Sequence, residues 1–250
     1  MSRELERPLA AVTAARLSLG LGAGAISTRE QLRFQLDHAV ARDAVHAELD
    51  VAMLVRGLEE RGLAPIALRS AVEGGRRVYL RRPDLGRKLD GESVKILHAS
   101  LPEPEVVFVI ADGLSALAVE RHAPALMDAV MGGLADGWKV GPVCVVTQAR
   151  VAIGDEIGEL LGAKMVVMLI GERPGLSAAD SLGVYLTWEP KVGRTDAERN
   201  CVSNVRAEGL GYREAAERVL FYMEMARKLG VTGVRLKEGD RMGFLLKDDG

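Results

Sequence analysis

The sequence has few cysteines, no excess of charge of one sign and no long apolar run. The two cysteines, Cys144 and Cys201, form no CxxC or Cys/His cluster, so neither a disulfide framework nor a zinc site is predicted. Lysine and arginine total 33 against 35 acidic residues, a formal charge of -2, which argues against nucleic acid or an anionic membrane as a partner. The longest apolar run, residues 165–170, is far shorter than the roughly 20 residues that span a bilayer.

A secretory leader is not indicated either. Arg3, Glu4, Glu6 and Arg7 interrupt the segment in which a signal peptide needs an uncharged apolar core. With 250 residues, of which 48% are hydrophobic, the chain has enough apolar side chains for a substantial core. We therefore expect a globular protein of the reducing cytoplasm that does not cross a membrane.

The first 103 residues are predicted to form a mainly helical region with one small hairpin. Ser27 and Glu30 match a capping box, which marks the start of the first helix. Extended patterns on either side of Gly74-Gly75, at residues 66–72 and 77–80, predict the hairpin. Helical periodicity is found at residues 28–48, 51–61 and 92–99.

Beyond this region, continuous apolar runs replace the helical periodicity. Such runs are typical of a parallel sheet that is covered on both faces. They predict strands at residues 106–111, 142–147, 164–170 and 183–188, with 150–153 as a shorter candidate. Helices are predicted at residues 123–134, 155–161 and 212–229. The fold class is therefore α/β, with a Rossmann-like, doubly wound domain over residues 104–235, a mainly helical extension before it and a tail over residues 236–250.

For two segments within the first 103 residues we favour a structural interpretation. Gly20, Gly22 and Gly24 lack the spacing and the preceding strand of a dinucleotide-binding loop, so we predict a turn. Basic side chains crowd residues 76–88 and suit a ligand phosphate, an acidic partner or, more simply, a solvated face. This basic cluster consists of Arg76, Arg77, Arg81, Arg82, Arg87 and Lys88. The histidines lack the spacing of a metal-binding motif, and no metal site is predicted.

Polar residues follow the predicted strands, where ligands bind in open α/β sheets. Asp112 and Ser115 suit either a ligand edge or the cap of the next helix. Glu172, in Gly-Glu-Arg-Pro-Gly, suits either a ligand contact or a surface turn. Cys201 lies in a predicted loop over residues 200–204, and no spacing pairs it with a base, so no catalytic residue is predicted.

Several short segments occur along the chain in a characteristic order. They are Thr13-Ala14-Ala15-Arg16, Arg33-Phe34 with Asp37-His38, Tyr79-Leu80 with residues 82–87, Asp112-Gly113-Leu114-Ser115, residues 155–159, residues 171–176 and Cys201-Val202-Ser203-Asn204. Together they resemble the small (light) subunit of ethanolamine ammonia-lyase over about residues 10–230. The most specific segments are Arg-Pro-Asp-Leu-Gly-Arg at 82–87 and Gly-Glu-Arg-Pro-Gly-Leu at 171–176.

The resemblance implies an adenosylcobalamin-dependent lyase that converts ethanolamine to acetaldehyde and ammonia. In that family a large barrel subunit binds the substrate and hosts the radical chemistry. The small subunit packs a Rossmann-like domain against the barrel and helps to enclose the corrinoid at the interface. This chain is then expected to hold the cofactor as part of a hetero-oligomer, to be inactive alone and to carry no acid-base group of its own.

The resemblance also implies which residues contact the corrinoid. They are Val151, Glu172 and Cys201, with Arg173 and Asn204 as secondary candidates. Glu172 is expected to accept hydrogen bonds from corrin amide groups, while Val151 and Cys201 supply backbone groups or small contacts. No histidine stands in Asp-x-His-x-x-Gly, so the cofactor's own dimethylbenzimidazole is expected to stay on the cobalt.

Some features depart from the family pattern. The chain starts almost directly at the family core, whereas some relatives begin with an extension linked to a bacterial microcompartment, so the cytoplasm is the favoured location over the compartment lumen. Leu21 stands where relatives carry arginine. A stand-alone corrinoid- or nucleotide-binding module and a scaffold for the large subunit stay open as alternatives, and the basic cluster and the tail are not assigned.

Overall fold

The computed structural model describes residues 26–99 and 103–237, in which seven α-helices accompany one six-stranded sheet. The helices are α1 (Thr28–His46), α2 (Val51–Glu59), α3 (Arg76–Arg81), α4 (Gly91–Ala99), α5 (Ala116–Gly133), α6 (Ile153–Leu160) and α7 (Tyr212–Leu229). The strands are β1 (Pro65–Arg69), β2 (Val106–Ala111), β3 (Val140–Thr147), β4 (Met165–Gly171), β5 (Leu182–Trp188) and β6 (Arg199–Val205). The glycine motif at 20–24 and the tail beyond residue 237 lie outside the described residues.

The strand order is β1-β3-β2-β4-β5-β6. The first four strands in this order are parallel, and β5 and β6 are antiparallel to their neighbours. The α/β class is therefore confirmed, but the sheet is mixed. The finer descriptions, a Rossmann-like domain and a helical amino-terminal extension, stay predictions.

Helices cover both faces of the sheet. Alternate strand residues such as Phe108 and Ile110 pack against α2, α5 and α7, whereas Val107 and Val109 pack against α4 and α6. Every residue of β2 and β4 is consequently buried. This two-sided burial is why both strands read as continuous apolar runs in the sequence. Because the crossovers after β2 and β3 pass over opposite faces, a crevice opens at the carboxyl ends of these strands.

Three local predictions are wrong. The hairpin does not form, because residues 65–69 pair in parallel with β3, about 75 residues further on, and residues 76–81 form α3 with Tyr79 in the core. The sheet therefore begins before the predicted boundary at residue 104. Residues 150–153 form a turn into α6 instead of a strand.

The third error concerns residues 200–204, which belong to the edge strand β6 and not to a loop. Their polar character arises because Cys201, Ser203 and Asn204 are exposed, whereas Val202 and Val205 face the core. An edge strand with one solvent-exposed face lacks the continuous apolar run that is typical of a central strand. A helix prediction also falls short, since α5 begins at Ala116, where the Ser115 hydroxyl accepts from the Ala118 N–H at 3.2 Å.

A buried ion pair fixes the edge strand to the rest of the domain. The Arg199 guanidinium donates from its two terminal nitrogens to the two carboxylate oxygens of Asp155 on α6, each at 2.6 Å. It also donates to the Thr187 hydroxyl at 2.8 Å. Both charged side chains are almost fully buried, so each depends on the other for its compensation.

We predict that Asp155→Asn destabilises the chain strongly, because it removes the buried carboxylate that neutralises the Arg199 charge. The expected loss of unfolding free energy is about 3 kcal/mol. The matched control is Asp196→Asn, since the Asp196 carboxylate lies 3.6 Å from the same guanidinium but is 95% exposed. The control should cost less than about 0.5 kcal/mol. Urea denaturation followed by circular dichroism measures both, and equal midpoints would contradict the assignment.

Candidate functional site

The turn after β2 shapes the carboxyl edge of the sheet. Gly113 has a φ of 52°, and a Cβ there would lie 2.3 Å from the Gly171 carbonyl oxygen. The Leu114 N–H donates to that same oxygen at 2.9 Å. Only glycine at position 113 therefore allows the ends of β2 and β4 to approach this closely.

The turn after β3 is held by the segment at residues 82–87. The Arg150 N–H donates to the Gly86 carbonyl at 2.7 Å, and the Tyr79 hydroxyl donates to the Ala149 carbonyl at 2.7 Å. A Cβ on Gly86 would lie 2.7 Å from Tyr79 Cε2. The Arg-Pro-Asp-Leu-Gly-Arg segment thus positions the turn that carries Val151.

The basic cluster divides into one buried arginine and five exposed side chains. Arg76 is 5% exposed and donates to the Asp112 carboxylate at 2.9 Å and to the Gly113 carbonyl at 3.0 Å. Asp112 in turn accepts from the Ala149 N–H at 3.1 Å. The other five side chains are exposed, and their role stays a prediction. Ser115 caps α5, as the structural interpretation predicts, whereas the Asp112 carboxylate does not cap the helix and instead joins the two turns.

Glu172 follows β4 directly and is anchored through one carboxylate oxygen. Its Oε2 accepts from the Ser181 hydroxyl and, at 3.3 Å, from the Asn204 N–H. Its Oε1 lies over Gly183, where an added Cβ would be 2.9 Å away. Among the residues that the structure describes, none donates a hydrogen bond to Oε1. The carboxylate is thus fixed by one oxygen and offers the other.

Tyr185 and Cys201 lie directly opposite each other on β5 and β6. Their side chains are therefore neighbours on one face of the sheet, and each affects the pKa of the other. Partial desolvation raises the pKa of the Cys201 thiol, the Tyr185 hydrogen bond opposes this rise, and the charge of Glu172 adds to it. Desolvation likewise raises the pKa of Tyr185 above its ordinary range. Tyr185 was not predicted as a site residue, because its place in the site depends on cross-strand pairing.

A shallow cavity of about 410 Å³ brings most of the predicted residues together. Val151, Glu172 and Arg173 line it, together with Arg150 and Tyr185. The remaining two predicted residues adjoin it, since Cys201 lies directly opposite Tyr185 on the next strand and the Asn204 N–H donates to Glu172. A larger cavity of about 550 Å³ is lined by residues 69–75, residues 89–91 and Gln148, and none of the predicted site residues lines it.

The cavity continues onto an exposed sheet surface. Cys201 and Ser203 are exposed on β6, and the half-buried Tyr185 lies beside them on the same face. The site offers a fixed carboxylate oxygen, a phenol-thiol pair and a flat surface, a set suited to binding. Among residues 26–99 and 103–237, no group of three or more His, Cys, Asp or Glu side chains is arranged to hold a metal ion. In the same residues, no helix combines the length and apolar character needed to cross a bilayer.

Comparison with known proteins gives a consistent result. The family model described as ethanolamine ammonia-lyase light chain (EutC) matches residues 3–237. A protein named ethanolamine ammonia-lyase small subunit from Pseudomonas aeruginosa (strain UCBPP-PA14) is 53% identical over 236 residues, 92% of this chain and 86% of that protein. Proteins of the same name from Ralstonia nicotianae and Azotobacter vinelandii are each 51% identical, over 94% and 91% of this chain and 88% and 86% of their own lengths.

The thiol of Cys201 provides a test of the site geometry. We predict that its alkylation by iodoacetamide is half-maximal above the pH of an ordinary cysteine, because partial desolvation and the charge of Glu172 raise its pKa. Tyr185→Phe removes a hydrogen bond that lowers this pKa, so the midpoint should shift to still higher pH. Mass spectrometry after a timed reaction across pH measures both midpoints.

The same experiment contains its control. Cys144 is fully buried, and burial raises the pKa of its thiol to about 12, so it should not react in the folded chain. A Tyr185→Phe midpoint at or below that of the wild type would refute the hydrogen bond.

Proposed function

The chain belongs to the family of ethanolamine ammonia-lyase light chains, and we propose that it binds adenosylcobalamin at the cavity between Val151 and Glu172. Its relatives are named as small subunits of this lyase, so the chain is a lyase subunit of a hetero-oligomer with a large subunit. The proposed complex converts ethanolamine to acetaldehyde and ammonia in the cytoplasm.

One observation carries the proposal, namely the half-anchored carboxylate of Glu172. Ser181 and the Asn204 N–H hold Oε2, while Oε1 has no donor among the described residues, and Glu172 itself lines the cavity. The corrin ring carries amide side chains around its edge, and their N–H groups are the donors that a fixed carboxylate oxygen accepts. A hydrogen bond to a charged acceptor is about twice as strong as a neutral one.

The rest of the surface suits the same ligand. The Val151 N–H has no acceptor among the described residues, so it is available to a corrin amide oxygen. Cys201 and Ser203 expose small side chains on a flat sheet face, which leaves room for the edge of a wide planar ring. When bound, adenosylcobalamin supplies radical chemistry through homolysis of its cobalt-carbon bond. This chain would orient the corrin and exclude water on one side.

An open cavity also supports the large subunit as the second wall. A space of about 410 Å³ with one open side surrounds only part of a cofactor as large as cobalamin. On α1, Leu32, Leu36 and Val40 follow one another at four-residue spacing and are 60%, 64% and 45% exposed. An exposed apolar stripe of this kind favours burial against a partner. We infer that this chain does not turn over ethanolamine alone.

We predict that activity requires the complex. The chain is co-expressed with the large subunit, purified through a tag on the chain, and assayed for acetaldehyde from ethanolamine with and without adenosylcobalamin. Cofactor-dependent activity is expected only in the co-purified complex. Corrinoid or nucleotide uptake by the chain alone, without a co-purifying partner, would instead favour a stand-alone binding module.

We further predict that Glu172→Gln weakens corrinoid retention about tenfold, because it removes a charged hydrogen-bond acceptor while keeping the shape of the side chain. The matched control is Glu208→Gln, since the Glu208 carboxylate is 77% exposed and does not line the cavity. Gel filtration of each loaded complex, followed by absorbance of the retained corrinoid, gives the comparison. Equal retention by the two variants, with unchanged thermal unfolding, would refute the role of Glu172.

A further inference from the structure

Two guanidinium groups lie against one buried aromatic ring beside the cavity. The guanidinium carbon of Arg150 is 4.7 Å from the centroid of the Tyr79 ring, and that of Arg76 is 5.0 Å from it. The Tyr79 ring is fully buried, and its hydroxyl is fixed on the Ala149 carbonyl. The ring therefore holds both cations in place through its negative face.

Only one of the two cations has a counter-charge. Arg76 forms an ion pair with Asp112 at 2.9 Å. Arg150 has no carboxylate within 4.0 Å among residues 26–99 and 103–237, and its Nε is buried without a hydrogen-bond partner. A partly buried cation without a counter-ion is costly, so a compensating anion at this position would be strongly favoured.

The position of Arg150 directs this charge toward a ligand. Arg150 lines the same cavity as Val151, Glu172 and Arg173. The Glu172 carboxylate is already held by Ser181 and Asn204, and it is the only acidic side chain among the described residues that line the cavity. Two arginines against one carboxylate leave the lining with an excess of positive charge.

We propose that the Arg150 guanidinium binds an oxyanion of the bound ligand, namely the phosphodiester in the nucleotide loop of the corrinoid. This inference rests on the proposed function, because the phosphodiester is the anionic group of cobalamin. The planar fork of an arginine matches two phosphate oxygens, and the Tyr79 ring keeps the fork in one plane before binding. The segment at residues 82–87 also fixes the backbone of Arg150, since the Arg150 N–H donates to the Gly86 carbonyl.

The experiment compares two corrinoids on the complex with the large subunit. Cyanocobalamin contains the phosphodiester, whereas dicyanocobinamide has the same corrin amide groups and lacks the nucleotide loop. Dissociation constants are measured by absorbance for the wild type and for Arg150→Gln, Arg150→Lys and Arg77→Gln. Arg77 is the matched control, because it lies exposed on α3 and does not line the cavity.

We expect Arg150→Gln to weaken cyanocobalamin binding about tenfold, to leave dicyanocobinamide within about twofold, and to reduce the salt dependence of cyanocobalamin binding. Arg150→Lys keeps the charge and loses the planar fork, so its affinity for cyanocobalamin should lie between those of the wild type and Arg150→Gln. Arg77→Gln should bind both corrinoids like the wild type.

Four results would overturn the inference. An equal loss for both corrinoids would mean that Arg150 supports the corrin or the turn. Release of the large subunit by Arg150→Gln in gel filtration would mean that a carboxylate of the partner is the anion. If Arg150→Gln binds cyanocobalamin as tightly as the wild type does, Arg150 has no role in binding, and the proposed function is unaffected. If the wild-type complex binds neither corrinoid, both this inference and the proposed function are overturned.

Discussion

The carboxylate of Asp112 joins four separate parts of the chain at the carboxyl edge of the sheet. It is 2% exposed and accepts from Arg76 at 2.9 Å and from the Ala149 N–H at 3.1 Å. Arg76 in turn donates to the Val45 carbonyl at the end of α1 at 2.8 Å. Since either charge would be left buried without a partner if the other were lost, this pair stabilises the relative positions of α1, α3 and the turns after β2 and β3. The candidate site is built on those two turns.

The glycines at this edge make the same geometry possible. A Cβ on Gly171 would lie 2.1 Å from the Ser115 carbonyl oxygen, and one on Gly113 would lie 2.3 Å from the Gly171 carbonyl oxygen. The turns after β2 and β4 therefore pack main chain against main chain, with no room for a side chain at either glycine. This contact fixes where the chain leaves β4, and with it the direction of Glu172. Gly113 and Gly171 thus help to position the Glu172 side chain through the backbone.

The parts of the fold that the sequence predicted are those with a local signal. The predicted bounds of β2 agree with the structure, because a strand buried on both faces is apolar at every position. The place of β1 was missed because its partner β3 is remote in sequence, and β6 was missed because Cys201 and Ser203 face outward from an edge. In the site, Val151, Glu172 and Cys201 were named from the family resemblance. Tyr185 was found only through its pairing with Cys201.

The interaction between Tyr79 and Arg150 shows why part of such a site escapes local reading. The two residues are 71 positions apart in the chain, Tyr79 in the segment of the basic cluster and Arg150 in a segment predicted as a short strand. Folding separates the arginines by environment, since Arg76 acquires Asp112 and Arg150 does not. On the proposed function, a corrinoid that neutralises Arg150 and a large subunit that covers the open cavity act on the same turn. A corrinoid that contacts both subunits binds their complex more tightly than this chain alone, and by linkage it strengthens the association of the subunits by the same factor.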